Sequence, residues 1–234
     1  MITKEASILE HLTELRKRLI IVLLSFVGFF ILSLYWSPEL YRFVTSPLKQ
    51  KLLVLGPNDI LWIYVRLASL MSFSLVLPVI TYQIWAYVRP GLTSREARGI
   101  LTYIPAVFVC FVAGLAFGFY LVMPALFQVL LSLGDGLFIT QITAQNYLSF
   151  VWHTTLPLAV LFEFPVVIAF LTHLGLVNSR LLKTYRRQAY FVMICLAVIM
   201  TPADVISDLV MSLPLLLIYE IGIIVSRRVE KKRG

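Results

Sequence analysis

Charged residues are scarce in this sequence. Only 14% of its 234 residues are Asp, Glu, Lys or Arg, whereas 60% are hydrophobic and the mean hydropathy is +0.90. A soluble domain of this length would be about 25% charged and less than half apolar. The apolar residues also fall in long runs, which excludes a soluble core and indicates an all-α, polytopic membrane protein.

Cysteine, histidine and the common catalytic motifs are equally sparse. Cys110 and Cys195 both fall inside predicted spans, which favours two buried thiols over a disulfide. The histidines are dispersed, and the sequence has no glycine-rich phosphate loop and no HExxH motif. We therefore expect no enzyme activity, no metal and no cofactor. The net charge of +8 comes from basic residues in short loops, so we expect no nucleic-acid partner either.

Six apolar segments are predicted to cross the bilayer. The fifth has only about a dozen apolar residues, and Asp208 and Glu220 leave the sixth a short apolar middle. A dozen helical residues rise about 18 Å, against roughly 30 Å of hydrocarbon, so these two helices are expected to be short. They would have to pack against protein, borrow flanking residues or thin the bilayer. The predicted spans are 19–36, 67–87, 99–123, 148–174, 189–200 and 205–225.

A single membrane-embedded domain is predicted over residues 1–234. Residues 1–18 should form an amphipathic cytoplasmic helix that starts near Ile8, after a capping box at Ser7. Residues 37–66 are predicted to be a structured outer loop, and residues 226–234 a basic, disordered tail. Most Lys and Arg residues outside the spans lie on one side, which places both termini in the cytoplasm.

One carboxylate lies near the middle of the fourth predicted span. Glu163 stands two residues before Pro165, which cannot donate a hydrogen bond to the Leu161 carbonyl and crowds that turn. A charge at this depth costs roughly 2.5–3.5 kcal/mol on insertion scales, so a partner helix, a polar ligand or water should meet it. The sequence predicts a kinked helix with a polar notch.

Two other carboxylates lie on the predicted cytoplasmic side. Glu14 has Lys17 and Arg18 three and four residues later, a spacing that by itself supports a helix, and Glu96 fits a second capping box. Together they would form an acidic pair beside basic loops. Such a pair attracts a cationic ligand, and an arginine can engage a carboxylate through two hydrogen bonds.

Two acids near the sixth span have simpler interpretations. Asp204 fits the N3 position of the last helix, after Pro202 at its first position. Glu220 could pair with the basic tail that begins near Arg227.

Short motifs spread over most of the chain carry a family resemblance. In order and spacing they resemble the TatC family, the multi-span subunit of the twin-arginine protein translocase. The motifs are His11-Leu-Thr-Glu14-Leu-Arg16-Lys-Arg18-Leu, Tyr82-Gln-Ile-Trp85 with Pro90-Gly-Leu and Glu96, Tyr147-Leu-Ser-Phe150, Phe162-Glu163-Phe-Pro165, Thr201-Pro-Ala-Asp204 and Glu220-Ile-Gly222 with Ser226-Arg227.

The resemblance implies a receptor for signal peptides with paired arginines in the bacterial cytoplasmic (inner) membrane. Such a receptor works with single-span TatA- and TatB-type subunits to move folded proteins on the proton-motive force, and its self-association is left open. The resemblance implies that Glu14 and Glu96 bind the signal peptide beside Leu15 and Tyr87, and that Glu163 is a polar contact inside a concave face. It marks five further functional candidates: Arg16, Arg18, Pro47, Asp204 and Glu220.

The alternative from the residues themselves is a small proton-coupled secondary transporter with Glu163 as the proton carrier. That function predicts an inverted repeat with helices broken at matching positions. The sequence contains no convincing internal repeat.

Overall fold

The protein is built from helices. The structure, a computed structural model, describes residues 2–48, 51–89, 103–133, 141–200 and 205–233. Five helical segments in these ranges are long and apolar enough to cross a membrane, which confirms an all-α, multi-pass membrane protein. They are Leu12–Tyr35, Pro57–Val88, Tyr103–Ser132, Ala144–His173 and Ser207–Lys232.

The chain divides into two compact units. Residues 1–47 and 64–108 form the first unit, and residues 48–63 and 109–234 form the second.

The first unit contains helices α1 (Ile2–Tyr35) and α2 (Ser37–Thr45) and most of α3 (Pro57–Val88). Helix α1 is continuous through the predicted membrane surface and starts at Ile2, so the predicted start near Ile8 is wrong. No Gly or Pro lies between residues 2 and 18, and Lys, Arg, Glu and Leu all favour helix, so nothing ends the first turns.

Helix α3 also starts earlier than predicted. Its first residue is Pro57, a position that suits proline because the missing N–H has no intrahelical partner there. The segment predicted as an outer loop over 37–66 therefore contains α2 and the first turns of α3. Pro78 lies inside α3, and the helix continues through it.

Small polar side chains join α1 to α2 and to α3 within the first unit. The Ser72 hydroxyl donates to the Phe26 carbonyl oxygen at 2.8 Å, and the Ser37 hydroxyl donates to the Ser33 carbonyl oxygen at 3.0 Å. Ser33, Ser37 and Ser72 are fully buried. Small residues let helix backbones approach closely in a bilayer, where apolar side chains gain nothing by leaving lipid.

The third predicted span is longer than the sequence indicates. Helix α4 (Tyr103–Phe117) continues through a π-helical turn, Gly118–Val122, into α5 (Met123–Leu133), so the predicted end at Met123 is wrong. The Met123 N–H donates to the Gly118 carbonyl, five residues back. This wider turn precedes Pro124, whose ring would crowd an ordinary α-helical turn.

The fourth predicted span is broken where the sequence predicts. Helix α6 (Ala144–Leu161) starts after Thr143, whose side chain accepts a hydrogen bond from the Asn146 N–H at 3.2 Å. Helix α7 (Phe164–His173) follows Phe162 and Glu163, with Pro165 in its first turn. The predicted kink is thus confirmed as an interruption between two helices.

The last helices are α8 (Ser179–Thr184), α9 (Arg186–Met200) and α10 (Val205–Arg233). Helix α9 covers the fifth predicted span and has 15 residues, which confirms that this helix is short. Helix α10 has 29 residues, longer than the sequence predicts, and the tail predicted to be disordered is helical to Arg233. Lys, Arg and Glu are good helix formers, and bases near a helix C-terminus interact favourably with its dipole.

Helices α9 and α10 share the core of the second unit with α5 and α6. Met193 and Ala197 of α9 pack into one buried cluster with Met211, Leu215 and Ile218 of α10. The short helix α9 therefore buries one face against protein. Packing against protein was one of the three ways in which a span too short for the bilayer was expected to be accommodated.

Candidate functional site

Glu14 of α1 holds a guanidinium group. Its Oε1 accepts a hydrogen bond from Arg18 Nε at 3.2 Å and a short ion pair from Arg18 Nη2. The two residues lie one helical turn apart, the geometry in which oppositely charged side chains meet. The pair is partly exposed, with 34% of the Glu14 side chain and 21% of the Arg18 side chain accessible.

The same arginine reaches the last turns of α3. Arg18 Nη1 donates to Gln83 Oε1 at 3.2 Å, and Nη2 donates to the Ala86 carbonyl oxygen at 3.0 Å. Ala86 lies in the final turn of a helix that ends at Val88, where carbonyl oxygens lack intrahelical partners. One guanidinium thus links the acid of α1 to the end of α3.

Leu15, Arg16 and Tyr87, which were also predicted as functional residues, lie on α1 and α3. Leu15 is 48% exposed, Arg16 is exposed, and the half-buried Tyr87 follows Ala86 directly. Pro47 is exposed in the turn after α2. Glu96 and Asp204 lie outside the described residues, so the pairing of Glu14 with Glu96 stays a prediction.

Glu163 lies at the break between α6 and α7, in the second unit. Its backbone is satisfied: the N–H donates to the Val160 carbonyl at 3.1 Å, and its carbonyl accepts from the Val166 and Val167 N–H groups at 3.0 and 2.9 Å. Both carboxylate oxygens are buried, and none of the residues that the structure describes donates a hydrogen bond to them. A buried carboxyl without a donor is costly in a bilayer, so this group is ready to accept one.

Close helix packing surrounds this break. A Cβ added to Gly114 of α4 would lie 2.7 Å from Ala159 Cα and 2.8 Å from Phe162 Cβ. The Phe117 and Phe162 rings have centroids 5.4 Å apart. Sequence reasoning missed Gly114, although a glycine within an apolar run is the available signal for close helix contact.

Glu220 binds the start of α9 instead of the basic tail. Its Oε1 accepts from Arg186 Nε at 2.7 Å and from the Tyr190 hydroxyl, and its Oε2 makes a short ion pair with Arg186 Nη2. The predicted partner near Arg227 is wrong, because Arg186 and Tyr190 occupy both carboxylate oxygens and Arg227 is exposed.

Further contacts join α10 to α8, and no sequence pattern predicted them. Glu230 accepts hydrogen bonds from the Ser179 N–H at 2.7 Å and the Ser179 hydroxyl at 2.6 Å. The Tyr219 hydroxyl donates to the Leu182 carbonyl oxygen at 2.7 Å. The part of the chain that the structure describes contains no group of three or more His, Cys, Asp or Glu side chains suited to a metal ion.

The chain is similar to proteins of one membrane family. Residues 10–214 match the family described as Sec-independent protein translocase protein (TatC). The chain is 39% identical to the Sec-independent protein translocase protein TatCd of Bacillus subtilis strain 168, covering 98% of this chain and 95% of the relative. It is 36% identical to the TatC of Halalkalibacterium halodurans, covering 98% and 92%.

A solved structure agrees with these relatives. The fold is similar to a crystal structure of the twin arginine translocase receptor TatC, with a TM-score of 0.81, 29% identity, and coverage of 94% of this chain and 99% of that one. The comparisons give no support to a secondary transporter. The long apolar helices, the interrupted α6–α7 pair and the matched relatives agree: the chain belongs to the TatC family of Sec-independent protein translocase proteins.

Proposed function

We propose that this chain is the receptor and core subunit of a twin-arginine translocation system. It binds signal peptides with paired arginines and assembles with single-span TatA- and TatB-type subunits to export folded proteins on the proton-motive force. It lies in the bacterial cytoplasmic membrane with six spans and both termini in the cytoplasm, the short α9 being the fifth. The similar crystal structure is that of a twin arginine translocase receptor, which supports this assignment.

The observation that carries the proposal is the guanidinium already bound at Glu14. Arg18 meets this carboxylate with two of its nitrogens. Arginine is suited to such a site because its planar, permanently charged fork matches a carboxylate, whereas lysine presents a compact point charge. A carboxylate that accepts an arginine of its own helix can accept an arginine of a signal peptide.

Glu96, Leu15 and Tyr87 complete the proposed binding surface for the signal peptide. Glu96 supplies the second carboxylate, so each arginine of the pair has one acid. Leu15, with 48% of its surface exposed, offers apolar contact to the hydrophobic part of a signal peptide. Tyr87 follows the Ala86 carbonyl that already accepts from a guanidinium, and an aromatic face there can stack on arginine.

Glu163 is proposed as the contact for a partner subunit inside the membrane. Its buried carboxyl oxygens have no donor among the described residues. A single-span helix with a polar side chain at this depth would supply the missing donor, and both polar groups would leave hydrocarbon. Binding a helix and binding a signal peptide are thus assigned to different units of the chain.

The decisive test removes the two carboxylates of the proposed binding surface, Glu14 and Glu96. We expect the double variant Glu14→Gln, Glu96→Gln to lose at least about tenfold in affinity for a paired-arginine signal peptide, since each substitution removes a charge-assisted hydrogen bond. Site-specific photocrosslinking of the peptide to purified protein in nanodiscs, with a titration of the same peptide, measures the loss.

The matched control is Glu39→Gln, which removes an exposed carboxylate of α2. It should bind like the unmodified chain. Unchanged crosslinking and affinity in the double variant, with its thermal unfolding unaltered, would exclude the receptor function assigned to these acids.

A further inference from the structure

We propose that Glu14, Gln83 and Ala86 together form one guanidinium site, that Arg18 occupies it in the free protein, and that an arginine of the signal peptide binds there by displacing Arg18. This inference rests on the proposed function and deepens it. It adds Gln83 and the Ala86 carbonyl to the binding site, and it makes Arg18 an internal competitor that sets the affinity.

Three acceptors converge on one guanidinium. Glu14 Oε1 accepts from Nε at 3.2 Å and from Nη2, Gln83 Oε1 accepts from Nη1 at 3.2 Å, and the Ala86 carbonyl accepts from Nη2 at 3.0 Å. All three nitrogens of the guanidinium are therefore used. An ammonium group could not reach these acceptors together, because they are spread around the edge of a planar fork.

The acceptors come from separate parts of the fold but share one face. Gln83 and Ala86 lie three residues apart on α3, so both face the same side of that helix. Glu14 comes from α1, and its carboxylate brings the only negative charge among the three acceptors. The Ala86 carbonyl belongs to the last helical turn and is available to a donor from outside the helix.

Arg18 is suited to be a replaceable occupant. It lies one turn from Glu14 on the same helix, so its local concentration at the site is high without any partner. Its side chain is nevertheless 21% exposed, so the guanidinium has a route into water when a competitor arrives. Ion pairs with this much exposure contribute little net stability, because solvent screens them.

A competing internal group lowers the apparent affinity of a ligand by the fraction of time that the site is free. Removing it should therefore strengthen ligand binding. If Arg18 instead only positions the Glu14 carboxylate, its removal should weaken binding or leave it unchanged. The two roles predict opposite signs, which makes Arg18 the informative residue.

The experiment titrates a fluorescent paired-arginine peptide against the full chain in nanodiscs. We expect Arg18→Gln to bind the peptide roughly threefold to tenfold more tightly, because the site is no longer occupied. Lys17→Gln is the matched control: it removes the same charge from an exposed neighbour, so it corrects for the general attraction of a cationic peptide. Lys17→Gln should change the affinity by less than about twofold.

Gln83→Leu tests the new part of the site. In the Arg18→Gln background it should weaken peptide binding about fivefold or more, since it removes one acceptor and leaves one donor unpaired. A peptide with paired lysines should gain nothing from Arg18→Gln. Weaker or unchanged paired-arginine binding in Arg18→Gln, or no effect of Gln83→Leu, would overturn the inference.

A second readout needs no variant of the measured protein. The Arg18 Nε–H signal in an NMR spectrum, assigned by its loss in Arg18→Gln, should move to the position of a solvated guanidinium when peptide is added. A signal that stays unchanged at saturating peptide would also overturn the inference. Failure of the proposed function is distinguishable, because then the unmodified chain would bind paired-arginine and paired-lysine peptides alike, and Glu14→Gln would change neither.

Discussion

At the scale of single residues, Glu14, Glu220 and Glu163 differ in whether a basic side chain among the described residues lies within hydrogen-bonding distance of the carboxylate. Glu14 meets Arg18 four residues away, which the sequence could predict from helical spacing alone. Glu220 meets Arg186, 34 residues away, a contact that depends on how α9 packs against α10 and that no local pattern reveals. Glu163 could be singled out from the sequence because a lone acid in an apolar segment is expensive.

Glu163 gives the prediction at this scale. Glu163→Leu should lose co-purification with TatA- and TatB-type subunits, because leucine cannot accept the proposed hydrogen bond. It should also unfold at the same or a higher temperature, since a buried carboxyl without a donor is removed. Affinity purification from detergent extracts and thermal unfolding check the two effects.

The conservative control at this position is Glu163→Gln. Its amide oxygen still accepts a hydrogen bond, so it should retain more partner than the leucine variant does. Full partner recovery with Glu163→Leu would contradict the contact assigned to this residue.

At the scale of helices, the sequence predicted breaks better than it predicted ends. Pro165 marked the α6–α7 break correctly, whereas α3 continues through Pro78, so a missing backbone donor alone does not break a helix. The start of α1 and the end of α10 lie beyond the predicted ones, since charged residues that leave the bilayer can remain helical. Helix α5 also continues past the predicted end, although it contains no charged residue. Hydropathy locates the lipid-facing stretch of a helix, whereas backbone chemistry decides where the helix stops.

The contact between α4 and α6 gives the prediction at this scale. Gly114→Ala should destabilise the protein by about 1–3 kcal/mol, because the new methyl group would meet the Ala159 backbone at 2.7 Å. Thermal unfolding in detergent, followed by tryptophan fluorescence, measures the change. A melting temperature equal to that of the unmodified chain would show that the helices can separate without cost.

Gly28→Ala is the matched control for that substitution. Apart from the neighbouring backbone of α1 itself, no atom of the residues that the structure describes lies within 4 Å of the Cβ it would add, and alanine is the better helix former. It should be neutral or stabilising by up to about 1 kcal/mol.

At the scale of the whole molecule, composition was enough to predict the class and the motifs were enough to predict the family. The mean hydropathy of +0.90 excluded a soluble fold, and the family match covers residues 10–214. The contacts that build the guanidinium site could not be predicted, because Gln83 and Ala86 meet Arg18 from more than sixty residues away. Sequence spacing gives neighbours on one helix, and only the fold gives neighbours on two.

Topology gives the prediction at this scale. In a background with Cys110 and Cys195 replaced by alanine, Pro47→Cys should react with a membrane-impermeant maleimide on intact spheroplasts. Lys232→Cys and Ser7→Cys should react only after permeabilisation, because the proposed orientation places the basic segments in the cytoplasm. Labelling of position 232 on intact cells would place the C-terminus outside and contradict the proposed orientation.

The long last helix has a practical consequence for anyone who attaches a reporter to this protein. Helix α10 continues to Arg233, and its last turns are held at the start of α8, where Glu230 accepts two hydrogen bonds from Ser179. A fluorophore joined directly after Arg233 would be attached to a rigid helix instead of a flexible tail. Its fluorescence polarisation would report the motion of the second unit. Glu230→Ala would remove the hydrogen bonds to Ser179 and should lower that polarisation, because the end of α10 could then move locally.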